Sequence, residues 1–166
     1  MTVFHCSRCG NALTPDLTAL PTVPAVPGID VARPEGARQA PPTVPQGYYA
    51  IEPEPWGAPF VPQEDQDNPV PSQPRGLLRA TLDGFVISAG ARDTIVLHPD
   101  DGSVLQPLPC WENSTGCCGP DGTEGPNRAC PCGARIATLA ADCSGPWELH
   151  LDPVRTYAFT PPDAHR

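Results

Sequence analysis

The sequence predicts a mainly β fold, a small β domain carrying a long proline-rich irregular insertion, and three observations carry that expectation. Apolar and β-branched residues come in short runs bounded by Gly, Asp, Asn and Pro, the punctuation of strands and turns. The 166 residues include 25 prolines and 15 glycines, and proline lacks the amide donor and clashes with the preceding helical turn, so long helices are excluded. Most of the eight cysteines fall in closely spaced groups at opposite ends of the chain, a spacing typical of metal ligation or thiol chemistry.

Charge removes one class of function. The chain has no lysine, and its ten arginines face nineteen acids for a formal charge of -9. Polyanion binding needs clustered cations that release counterions from phosphates, and four thiolates around one divalent cation leave a net negative centre. A nucleic-acid partner is therefore the least favoured. The N-terminus MTVFHCSRCG has no basic region followed by an apolar one, and no window reaches the about 18 apolar residues of a membrane span. No membrane association is expected, and the default location is cytoplasmic. In that reducing compartment closely spaced cysteines ligate metal or do redox work, whereas in an exported chain eight cysteines would allow four disulfides.

Taken in order, residues 1–14 form an N-terminal knuckle that joins the C-terminal core. Thr2 to His5 is β-prone, and Cys6 and Cys9 form a C-x-x-C-G element in which Gly10 lets the chain turn away. Residues 15–75 hold most of the prolines and read as an extended linker or strap, because neither a helix nor a central strand persists through such spacing. Within it GYYAIEPEPWGAPFV gathers Tyr48, Tyr49, Trp56 and Phe60. That island is too apolar for a free linker and is expected to lie against the folded part. Residues 76–160 are the β-rich, cysteine-rich core. Leu77–Leu82, Phe85–Ser88 and Thr94–His98 suggest a meander, with SAGARD as a hairpin connection and His98 at a surface turn. Arg135 to Leu139 reads as a strand. Trp147, Leu149 and Leu151 alternate with Glu148 and His150 as in a half-buried strand, which Thr156 to Phe159 would pair with. Residues 161–166 are a polar tail.

The cysteines allow more than one partition. The preferred site pairs Cys6 and Cys9 with Cys130 and Cys132, the latter in a C-P-C-G element one residue shorter than the usual knuckle. Such thiolate sets point to Zn2+. Cys117, Cys118 and Cys143 remain, and Cys110 or His150 could complete a second tetrahedral site. In the alternative, one site is drawn wholly from the C-terminal cysteines and Cys6 and Cys9 stay outside it. Cys110 otherwise reads as a buried thiol. No residues are assigned a catalytic role: HExxH, GxSxG and Walker patterns are absent from the sequence.

NSTGCCGPDGTEGPNRACPCGARIATLAADC with WELHLDP, HCSRCGNALTPDL and EPEPWGAPFVP resemble a group of small actinobacterial cysteine-rich proteins without assigned activity. The resemblance implies a bacterial source and no chemistry. The C-x-x-C-G element separately resembles those of zinc ribbons, from which the chain departs in its missing knuckle residue and acidic balance. The fold expected is thus zinc-ribbon-like. The function expected is that of a non-catalytic structural zinc protein acting on a protein partner. A thiol-based redox or metal-handling role for Cys117–Cys118 or Cys130–Cys132 is the alternative.

Overall fold

A computed structural model describes residues 1–26 and 35–162; residues 27–34 of the proline-rich stretch and 163–166 of the expected tail lie outside the described residues. The architecture is mainly β, with no α-helix among the described residues and short 3-10 turns at Pro99–Gly102 and Pro109–Trp111. In chain order the strands are β1 (Val3–Cys6), β2 (Thr18–Ala19), β3 (Tyr48–Glu52), β4 (Phe60–Pro62), β5 (Ala80–Thr81) and β6 (Gly84–Ser88). They continue as β7 (Thr94–Leu97), β8 (Gln106–Pro107), β9 (Arg128–Ala129), β10 (Arg135–Ala140), β11 (Glu148–Leu151) and β12 (Thr156–Phe159). The main sheet runs β2-β3-β7-β11-β10-β9-β8, flanked by a β1-β12 ribbon and a β4-β6-β5 sheet.

Register explains how the main sheet is buried. Tyr49 pairs with Leu97, Leu97 with Leu149 and Leu151 with Ile95, so these side chains share one face. That face meets Phe4, Leu13 and Leu17 from the N-terminal segment, together with Ile136. The opposite face carries Glu52 against Thr94 and His150 against Val96. Both faces of β11 are buried, Glu148 at 0% and His150 at 2% exposure. The alternation that predicts a half-buried strand is thus present in the sequence, but its polar side is covered as well.

The cover is the proline-rich stretch. β3 occupies the gap between Pro45 and Pro53, where amide donors are available, and pairs antiparallel with β7. Trp56, 3% exposed, stacks on His150 with ring centroids 3.5 Å apart. Arg75 reaches in beside it and pairs with both Glu52 and Glu148. His150 completes the group, with Nε2 2.7 Å from Glu148 and Nδ1 2.9 Å from the Thr94 hydroxyl. Donation from Nε2 to the carboxylate and from Thr94 to Nδ1 fits a neutral imidazole. Burial is the largest influence on His150 and pushes it below its ordinary value, against the pull of Glu148. Burial would raise Glu148, but His150 and Arg75 outweigh it and hold the carboxyl at about 2.

Three expectations are revised. β6 and β7 are not a hairpin: β6 pairs with β4 and β5, while β7 enters the main sheet. Between them Gly90 lies against the strap backbone, where a Cβ would sit 2.2 Å from the Trp56 carbonyl oxygen, and Ala91 bridges to Trp56. β12 pairs with β1 rather than β11, because β11 is already flanked by β7 and β10. His98 is buried at 7% exposure instead of lying on a surface turn. Its Nδ1 accepts the Asp100 amide and caps the first 3-10 turn.

Two outcomes follow from the buried charges. Removing one partner of a buried ion pair leaves the other charge stranded, so Arg75→Ala is expected to lower stability by about 3–5 kcal/mol in chemical denaturation. For pH, both folded-state values are depressed, so both groups stabilise the fold above their unfolded values and lose that contribution as pH falls. Melting temperature should drop first below 6.5, the ordinary value for His150, and again between 4.5 and about 2 as Glu148 titrates. The first step is absent in His150→Gln, compared with the parent at each pH so that acid loss from the thiols cancels.

Candidate metal centre

Two loops of matching construction carry the first cysteine group. Cys6 closes β1, and after it the Gly10 amide donates to the Cys6 carbonyl at 2.8 Å while the Cys6 amide donates to Asn11 at 2.9 Å. Cys130 follows β9, and there the Gly133 amide donates to the Cys130 carbonyl at 2.8 Å while the Cys130 amide donates to Ala134 at 2.9 Å. The same two closing bonds form across one residue fewer. Gly10 and Gly133 both take positive φ, 76° and 89°, where a Cβ is disfavoured. The shortened C-P-C-G element therefore makes a complete turn. His5 braces the first loop with Nδ1 3.0 Å from the Gly10 carbonyl, and Ser7 ties it to Arg155.

The loops meet although Cys9 and Cys130 lie 121 positions apart. The sulfurs of Cys9 and Cys130 are 3.6 Å apart and those of Cys6 and Cys132 3.8 Å. All four lie within 4.8 Å of one another. Four sulfurs at about 2.3 Å from one zinc in tetrahedral geometry stand about 3.8 Å apart, and a disulfide requires about 2.05 Å. None of the eight cysteines is in a disulfide. Cys6 and Cys130 belong to the apolar core, Cys132 is half-buried and Cys9 is exposed, so the group sits at the rim of the core. Burial pushes the Cys130 thiol up to about 12, helped by the sulfurs around it, whereas the Ala134 amide brings Cys132 down to about 7. Such a group can hold a metal ion.

Cys117, Cys118 and Cys143 form the second group, again with ligand atoms within 4.8 Å of one another. Cys117 and Cys118 are exposed, and their sulfurs are 3.9 Å apart. The structure therefore divides seven predicted ligands into four and three. Cys110 is exposed, on the Pro109–Trp111 turn with φ 57°, rather than a buried thiol, and it is in neither group. His150 is committed to Glu148 and Thr94.

Sequence reasoning missed Asp142, whose Oδ1 accepts the Cys118 amide at 2.8 Å. Its position directly before Cys143 was the available signal, since aspartate side chains commonly bind nearby backbone amides. It also missed the Arg75, Glu52, Glu148 and His150 cluster, where only the acid and histidine alternating with leucine in β11 gave a hint.

Fold and site together define a small mainly β protein with two cysteine groups able to bind metal. No family model, curated protein or solved structure matches the chain.

Because thiols bind metal as thiolates, a Cys130 thiol held near 12 enters the reaction protonated. Uptake of a thiophilic divalent cation at neutral pH should therefore release protons. Affinity should rise with pH and fall on acidification, as read by calorimetry in buffers of different ionisation enthalpy.

Proposed function

We propose that the protein is a non-catalytic structural zinc-binding protein in which Cys6, Cys9, Cys130 and Cys132 hold one Zn2+ and clamp the N-terminal segment to the core. The observation that carries this reading is the sulfur spacing of 3.6 and 3.8 Å, which matches a tetrahedral zinc–thiolate centre. Four protein thiolates fill that coordination sphere, whereas a catalytic zinc keeps a position for water or substrate. The two-knuckle plan is that of a zinc-ribbon-like site whose halves are separated by most of the chain.

A protein partner is the second part of the reading. Leu77, Leu78 and Leu82 are exposed at 60%, 51% and 106% around β5, and Trp111 at 68%, apolar side chains that a partner would cover. The charge of -9 opposes a nucleic-acid partner. No helix among the described residues is long and apolar enough to cross a membrane, and a cytoplasmic location is the one in which the thiols would stay reduced. A redox role is favoured by the exposed neighbouring thiols of Cys117 and Cys118 and by the lowered Cys132 thiol.

Native mass spectrometry of protein purified without added metal tests the clamp. The parent should carry zinc, and Cys130→Ser and Cys132→Ser should each lose it and more than about 4 kcal/mol of stability, the range reached when a bound metal is lost. Cys110→Ser should change neither. Full zinc content and an unchanged melting temperature in both knuckle variants would overturn the assignment.

A further inference from the structure

We propose that Cys117, Cys118 and Cys143 form a second, exchangeable site that binds a thiophilic divalent cation through three thiolates and leaves its fourth coordination position open to solution. This goes beyond the clamp and does not depend on it, because the two groups share no residue.

The three sulfurs are held in place by a closed loop. The Asp121 amide donates to the Thr115 carbonyl at 2.9 Å, and the Thr115 amide donates to Glu124 at 3.0 Å. The Ala141 amide donates to the Pro120 carbonyl at 2.8 Å and seats the loop on the end of β10. Glycines flank the cysteine pair because nothing larger fits. A Cβ on Gly116 would lie 1.7 Å from the Gly119 carbonyl oxygen, and one on Gly119 would lie 2.7 Å from that of Ala141. This compaction turns Cys117 and Cys118, neighbours whose side chains would diverge in extended chain, so that their sulfurs stand 3.9 Å apart. That spacing suits two ligands of one ion.

Asp142 connects the two halves of the site. Its Oδ1 accepts the Cys118 amide at 2.8 Å and its Oδ2 accepts the Ser144 hydroxyl at 2.9 Å. The same carboxylate also accepts from the Cys143 amide and thiol, so one carboxylate orients both arms of the tripod. With both oxygens engaged, Asp142 is a positioning residue and not a fourth ligand. Among the described residues no other Cys, His, Asp or Glu completes the group. The open position, with two of the three cysteines exposed, is what makes the bound ion exchangeable. On binding, each sulfur lone pair enters the coordination sphere as its thiol proton passes to solvent, and no electron transfer is involved.

The test adds Cd2+ in stoichiometric steps to full-length protein already carrying its tightly held zinc. Thiolate-to-cadmium absorbance and native mass are followed, and the mass separates uptake of an added ion from replacement of zinc. Expected are one further ion per chain, removable by a mild chelator that leaves the zinc, and loss of that ion alone in Cys143→Ser. Asp142→Asn should weaken uptake about 10–100-fold, the usual effect of removing a group that orients ligands. Cys117→Ser, altering an exposed side chain, carries the same test should Cys143→Ser misfold. Absence of a further ion, full affinity in the serine variants, or a Cys117–Cys118 disulfide in place of the ion would overturn the proposal. Retention of the zinc in Cys130→Ser, with the further ion still lost in Cys143→Ser, would mark failure of the clamp as a separate event.

Discussion

The meeting of the Cys6–Cys9 loop with the Cys130–Cys132 loop, beside the β1-β12 ribbon, fixes where the N-terminal segment lies. Phe4, Leu13 and Leu17 cover the apolar face of β7 and β11, and they arrive there from the N-terminal end, with most of the proline-rich stretch between Leu17 and β7. Closing so long a loop costs only logarithmically more than closing a short one. A metal bound by thiolates contributes on the order of 10 kcal/mol, enough to offset that closure. Cys6 and Cys130 also pack as small apolar side chains within the core, so two residues of a group able to hold a metal ion serve packing as well.

The other face of the sheet is settled by electrostatics. Placing Glu52, Glu148 and His150 on a buried surface would be costly without partners. Arg75 and Trp56, both from the proline-rich stretch, provide them. Replacing such a set with apolar residues often costs nothing in stability, so its contribution is better understood as position. In the observed placement of the strap, Arg75 meets both carboxylates while Trp56 stacks on the histidine ring.

How much of this was legible in the sequence varies with the range of the interaction. Local signals were read well in the Gly10 turn and the strand from Arg135, and one distant contact was legible too, because two short cysteine elements bring a known paired construction with them. What escaped depended on partners distant in sequence. SAGARD has hairpin composition, but the turn is occupied by the strap at Trp56. β12 has an edge-strand pattern that fits β1 or β11 equally, and only the completed sheet removes the second choice. Glu148 and His150 looked solvent-facing because alternation reports which residues share a face and not what lies over it.

The two cysteine groups use the same ligand chemistry in different settings, and the difference bears on how each would hold an ion. Around Cys6, Cys9, Cys130 and Cys132, four sulfurs converge where two are enclosed by the core. An ion there would be held between two loops from opposite ends of the chain and partly enclosed by the core. Around Cys117, Cys118 and Cys143, three sulfurs lie on a loop whose hydrogen bonds run to its own backbone, to Asp142 and to β10. An ion could leave that loop without disturbing either face of the main sheet. On the two proposals, burial more than ligand identity would separate a fastening from a point of exchange.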